Sequence, residues 1–137
     1  MRFPALYAVL LLLGCDEGYS AGGMAKAKDA AAQKLRDPDS AKFRNVETCP
    51  DNEHWFRGEI NGKNAFGAYA GFSEFYAIGS VAYLVDELEG DFGWMAGDAI
   101  LSCRGSEMNP DMRAAFIEGM PEPQRSERLK ELSERYD

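Results

Sequence analysis

At 137 residues the chain has room for one domain of ordinary size and no second, so any activity rests on a single small core. Hydrophobic residues make up 45% and charged residues 28% of it, a balance that excludes disordered, collagen-like and polytopic membrane chains. Fifteen Lys and Arg stand against 23 Asp and Glu, a formal charge of −8. Such a surface repels phosphate backbones, so no nucleic-acid partner is expected.

The first residues read as an export signal. A positive start at Met1-Arg2 leads into the apolar run from Phe3 to Leu13 and then Gly14-Cys15, a short hydrophobic segment with a small residue before a cut. As a helix that run rises only about 16 Å, half of what a bilayer core of about 30 Å demands. Residues 1–14 are therefore expected to be removed. Leu12-Leu13-Gly14-Cys15 resembles the lipobox of bacterial lipoproteins, in which signal peptidase II cuts before a cysteine that carries diacylglycerol. The resemblance implies acyl chains such as palmitate on Cys15 and attachment to a membrane through them. Each buried methylene contributes about 0.8 kcal/mol, and two or more chains anchor stably. Asp16, directly after the cysteine, resembles the retention signal of enteric-type bacteria. It favours the inner membrane, with the domain facing the periplasm of the cell envelope. Loss of Arg2 leaves 14 basic against 23 acidic residues, 14 − 23 = −9, which opposes close approach to anionic lipid.

Residues 15–23 read as a lipidated tether, because three glycines and no apolar period suit a flexible link. The single domain then spans 24–137. Met24, Ala27, Ala31 and Leu35 fall at helical spacing, predicting an amphipathic helix from Met24 to Asp37 that Pro38 stops. Four segments rich in aromatic and β-branched residues follow, Phe43–Thr48, His54–Asn61, Phe66–Ile78 and Val81–Glu87, and they predict strands. Phe56, Gly58 and Ile60 share one face against Trp55, Arg57 and Glu59, while Phe72, Tyr76 and Ile78 share a face with Glu74. Asn61-Gly62 predicts a tight hairpin, and Gly67 and Gly71 predict bulges in the next strand. Asp91–Ser102 fits a short helix or a buried strand equally. Asp111–Glu118 predicts a helical turn or two, and Leu129, Leu132 and Tyr136 mark a terminal amphipathic helix. The fold class is α+β: one antiparallel sheet with an amino-terminal and a carboxy-terminal helix.

With Cys15 assigned to lipid, Cys49 and Cys103 remain. An even pair in an exported domain predicts a disulfide, the alternative being two unpaired buried thiols. One histidine and no Cys-x-x-Cys spacing assemble no zinc site, and no cofactor motif is present. His54 would have to carry any Ser-His or Cys-His mechanism, with Asp51 or Glu53 as orienter, yet no catalytic motif accompanies it. The chain is therefore not read as an enzyme. The acidic run Asp86-Glu87-Leu88-Glu89-Gly90-Asp91, with Asp98, could offer oxygens to calcium, but its spacing matches no EF-hand loop and it reads as a solvated turn.

Three segments carry a second resemblance: Asp37-Pro38-Asp39-Ser40-Ala41-Lys42-Phe43-Arg44-Asn45-Val46, Gly58-Glu59-Ile60-Asn61-Gly62-Lys63-Asn64, and Gly67-Ala68-Tyr69-Ala70-Gly71-Phe72. Together they resemble a family of small exported bacterial proteins with no assigned activity. That family carries a cysteine where this chain has Arg57, so no pairing is taken over from it. The same residues have a structural account as helix stop, core and turn. Their functional account is a polar and aromatic patch of Glu59, Lys63, Asn64 and Tyr69 that recognises a protein partner. The expected function is a non-catalytic binding module of the envelope. Two rivals are an acidic inhibitor or immunity protein against a basic envelope-active enzyme or toxin, and a small hydrolase using His54 or carboxylates among Glu59, Glu74 and Asp86.

Overall fold

A computed structural model describes residues 17–89 and 93–136; Cys15, Asp16 and the segment expected to be an export signal lie outside them. In chain order the elements are α1 (Glu17–Ala32), β1 (Lys42–Thr48), β2 (Trp55–Asn61), β3 (Ser73–Ile78), β4 (Val81–Leu84), α2 (Gly93–Arg104), α3 (Pro110–Glu118) and α4 (Gln124–Tyr136). Short 3-10 turns occupy Pro38–Ser40, Val85–Glu89 and Gly105–Glu107. The four strands form one antiparallel sheet in the order β1-β2-β3-β4, the α+β class expected. Among the described residues no helix is long and apolar enough to cross a membrane.

The sheet is covered on both faces. Ala27, Ala30 and Ala31 of α1 pack on Phe56, Ile60, Phe75, Ala77 and Ala82, alternate positions along the strands, as period-two patterning requires. The small alanines let the helix lie close to the sheet. On the other face Tyr76, with Trp55 and Tyr83 beside it, packs against Ala99, Ile100, Leu101 and Cys103 of α2 and against Met108, Ile117, Met120 and Leu132 beyond it.

Several expected boundaries move, each for a local reason. α1 begins at Glu17, within the stretch read as a flexible tether. Its Gly23 lies against the Phe56 ring, where a Cβ would come 3.1 Å from Cζ, so this glycine serves a close approach within a helix. α1 ends at Ala32, before the expected Asp37. Asn61-Gly62 does not turn a tight hairpin: Gly62 adopts no positive φ and sits against Leu35, whose Cδ1 a Cβ at this position would meet at 2.6 Å. The strand expected from Phe66 begins only at Ser73. Residues 62–72 form a loop in which Gly67 (φ +77°) and Gly71 (φ +112°) supply left-handed turns rather than bulges. The tight hairpin is at Gly79-Ser80, between the paired Ile78 and Val81, with Gly79 at φ +55° as a two-residue turn requires.

A bulge lies in β1 between Arg44 and Glu47, where Asn45 takes φ 53°, a conformation Asn tolerates better than most residues. β3 is buried on both sides, through Phe75 and Ala77 as well as Tyr76, and β4 gives way to a 3-10 turn at Val85. The ambiguous segment is helix from Gly93, and a Cβ on its Gly97 would meet Phe116 Cδ1 at 2.8 Å. In α4 Leu132 is buried as expected, but Leu129 is exposed and Arg128 is buried in its place. Cys49 and Cys103 are joined as a disulfide that ties the end of β1 to the end of α2.

Candidate functional site

Three surface features combine chemistry-bearing side chains. The first is the part of the sheet that α2 leaves uncovered, a groove of about 320 Å³ lined by Asn45, Glu47, Arg57, Gly58, Glu59 and Glu74. Glu59 and Glu74 are direct cross-strand neighbours. Arg44 grips Glu59 with two bonds, Nε to Oε2 at 2.9 Å and Nη2 to Oε1 at 2.7 Å, and Asn45 donates to Oε2 at 2.8 Å. These donors, Arg44 first, hold the Glu59 carboxyl below the usual carboxylate range, because hydrogen bonds to the charged form favour it. Arg57 donates to Glu47 at 2.8 Å and to Glu107 at 2.9 Å. The Tyr76 hydroxyl donates to Glu74 at 2.7 Å. Burial, and then that carboxylate, push the phenol up to about 12.

Of the residues considered for hydrolysis, Glu59 and Glu74 are paired across β2 and β3. Asp86 accepts from Ser73 Oγ at 2.8 Å, beside β4. His54 lies on the exposed turn before β2, its backbone N–H donating to Asn52 Oδ1 at 3.1 Å. Among the described residues no group of three or more His, Cys, Asp or Glu side chains could hold a metal, and Glu87 of the acidic run is paired with Lys34 at 2.9 Å.

The second feature is loop 62–72, which carries three of the four residues expected in a partner-binding patch or their immediate neighbours. Asn64 turns inward as a brace, its Oδ1 accepting from Phe66 N–H at 2.9 Å and Ala68 N–H at 3.1 Å. Lys63 and Tyr69 face each other across an isolated bridge. Asn61 Oδ1 accepts from Gly71 N–H at 3.1 Å, and Ser40 Oγ accepts from Lys63 N–H at 2.9 Å. Lys42 Nζ stands 4.0 Å from the Tyr69 ring centre and Arg44 3.9 Å from that of Phe72, cation–π contacts. Arg44 thereby connects Glu59 to Phe72 of the loop that carries Lys63, Asn64 and Tyr69. Phe66 at the tip is 94% exposed. That residue, with Phe72, Lys42 and Arg44, was not singled out from sequence. The glycines at 67 and 71 were the signal that the segment was loop and not strand.

The position of this loop follows from α1, which runs alongside β2 with Gly23 at Phe56 and Leu35 at Gly62. Its 16 residues rise about 24 Å. The loop lies past the carboxy-terminal end of the helix, at the far end from residue 17.

The third feature is a larger groove, about 780 Å³, between α1 and the outer edge of β4. Nothing in the sequence marked it, because it arises only where helix and edge strand meet. Comparison with protein-family models, with curated proteins and with solved structures finds no match to this chain.

Proposed function

We propose that this chain is a non-catalytic binding domain of the bacterial cell envelope, anchored by lipid on Cys15, facing the periplasm and docking a protein partner through loop 62–72. The observation that carries the reading is Phe66, fully in water on a loop whose backbone is braced by Asn61, Asn64 and the Lys63 to Tyr69 bridge. A braced apolar ring flanked by Tyr69, 39% exposed, and Phe72, 37% exposed, supplies a pre-organised aromatic anchor of the kind that dominates interface energetics. With lipid attached two residues before α1, the loop projects about 24 Å along the helix from that end, toward a partner outside the anchoring bilayer. The non-catalytic part of the reading is supported by Glu59 and Glu74, whose carboxylates are engaged by Arg44 and by Tyr76.

The test has two arms. Intact mass of the membrane-extracted protein is expected to start at Cys15 with diacylglyceryl and acyl mass added; an unlipidated chain overturns the anchor. A photoreactive phenylalanine at position 66 is expected to give one discrete adduct that excess wild-type protein competes away and that Tyr69→Ser with Phe72→Ser abolishes. The same probe at Leu129, an exposed side chain of α4, is expected to give none. Equal labelling from both positions, or none from position 66, overturns the docking surface.

A further inference from the structure

Loop 62–72 differs in charge from the chain that carries it. Of the 23 Asp and Glu in the sequence, none falls within residues 62–72. Lys63 stands on the loop and Lys42 on the adjoining β1, both exposed. Their ammonium groups gather at one ring, Lys42 Nζ 4.0 Å and Lys63 Nζ 5.9 Å from the centre of Tyr69. Among the described residues neither lysine forms an ion pair, whereas Arg44 beside Phe72 is held by Glu59 at 2.7 Å. A ring face positions an ammonium without cancelling its charge, as a carboxylate would. The loop therefore presents Phe66, 94% exposed, together with two positioned cations that no ion pair neutralises.

Taking this loop as the docking surface proposed above, we infer that its partner is a protein with an apolar pocket for Phe66 and Asp or Glu side chains at the pocket's rim, which reach Lys42 and Lys63. The phenyl ring, desolvated in the pocket, supplies affinity. The two ammonium groups supply orientation and association rate, and they disfavour partners with a basic rim. A net charge of −8 by itself points to a basic partner, and the local charge of the loop reverses that. An anionic bilayer is the poorer occupant: it meets the whole face of an acidic domain and repels it, whereas a protein pocket meets only the loop and its two lysines.

The full chain is tested in intact envelopes of the cells that make it, with two probes. One is photoreactive phenylalanine at position 66. The other is a water-soluble carbodiimide, which joins a lysine amine directly to a carboxyl as an amide while the reagent takes up the water released. Both are expected to capture the same polypeptide, the carbodiimide link mapping by mass spectrometry to Lys42 or Lys63 on this chain and to Asp or Glu on the partner. Raising the salt from about 0.05 M to about 0.5 M is expected to lower the photo-adduct yield several-fold. Lys42→Glu with Lys63→Glu is expected to lower it by about tenfold or more with the thermal melt unchanged. Lys42→Arg with Lys63→Arg is expected to keep the photo-adduct and lose the carbodiimide link. A photo-adduct indifferent to salt and to charge reversal overturns this inference and leaves the docking surface standing, whereas no adduct from position 66 overturns both. Capture of phospholipid, or an adduct of the purified chain with itself, also overturns the inference.

Discussion

Reduction of the Cys49 to Cys103 bridge is expected to cost the fold about 4 kcal/mol. The bridge joins residues 54 apart in sequence, and closing a loop of that length removes about 14 cal/mol/K from the unfolded ensemble in the chain-entropy relation, or about 4 kcal/mol at 25 °C. Reduction is a cleaner perturbation than substitution. Both sulfurs are buried, Cys49 at 4% and Cys103 at 0% exposure, and a reduced thiol keeps nearly the same volume there, whereas Cys→Ser would add the separate penalty of a buried hydroxyl. The assay is urea unfolding of the domain with and without reductant, followed by far-ultraviolet circular dichroism. At a urea slope of about 2 kcal/mol/M the midpoint falls by about 2 M. For about 120 folded residues the unfolding entropy is about 0.25 kcal/mol/K, so the melting temperature falls by about 16 °C. The slope itself is expected to rise on reduction, because the unconstrained unfolded chain exposes more surface. A loss under about 1 kcal/mol, or an unchanged slope, would refute the argument that the bridge acts by restricting the unfolded chain.

Three further outcomes follow from particular contacts. Gly58→Ala is expected to destabilise by about 1–3 kcal/mol in the same urea assay, because its Cβ would fall 2.8 Å from Val46 Cγ2 and 3.0 Å from Val46 Cα, and a backbone atom cannot rotate away. Tyr76, pushed up to about 12 by burial and by Glu74, is expected to remain protonated in an ultraviolet titration until well above the free phenol value. Since the folded pKa exceeds the unfolded one, its contribution is complete below about pH 10 and is lost between there and about 12; Tyr76→Phe should flatten that part of the stability profile. Arg128→Ala is expected to loosen α4, because this guanidinium, 8% exposed, donates to Ser102 Oγ at 2.7 Å and to Glu131 at 2.6 Å. It also lies 3.2 Å from Asp98. Because Asp98 and Glu131 remain 40% and 48% exposed, the cost is that of lost charged hydrogen bonds, about 1.5–3 kcal/mol, and faster amide exchange confined to α4 would distinguish detachment from global unfolding.

The period-two pattern of β2 was enough to place Phe56 and Ile60 in the core, because alternation along a strand is a property of the chain itself. The terminal helix was equally legible in type, yet its buried face was not. Arg128 is inside and Leu129 outside because Asp98 and Ser102 of α2 supply partners for a guanidinium, and no local pattern carries that information. The expected patch was half visible: Lys63, Asn64 and Tyr69 are neighbours in sequence, but Glu59 reaches the loop only through Arg44, and that link depends on the register of β1 on β2. Asn61-Gly62 misled because its two residues have the turn's preferred identity while serving other ends, Asn61 closing the loop through Gly71 and Gly62 admitting Leu35.

By itself the sequence determined the class of the fold, the alternating faces of β2, the pairing of Cys49 with Cys103, and the acidic balance of the composition. All of these are properties of composition and local spacing, which survive whatever the distant parts of the chain do. Tertiary structure decided where α1 begins, which helices cover which face of the sheet, that Glu59 and Glu74 meet across β2 and β3, and that a groove lies between α1 and β4. Those outcomes depend on residues tens of positions apart coming into contact, and such contacts are selected by packing and partner satisfaction over the whole core rather than by any local preference.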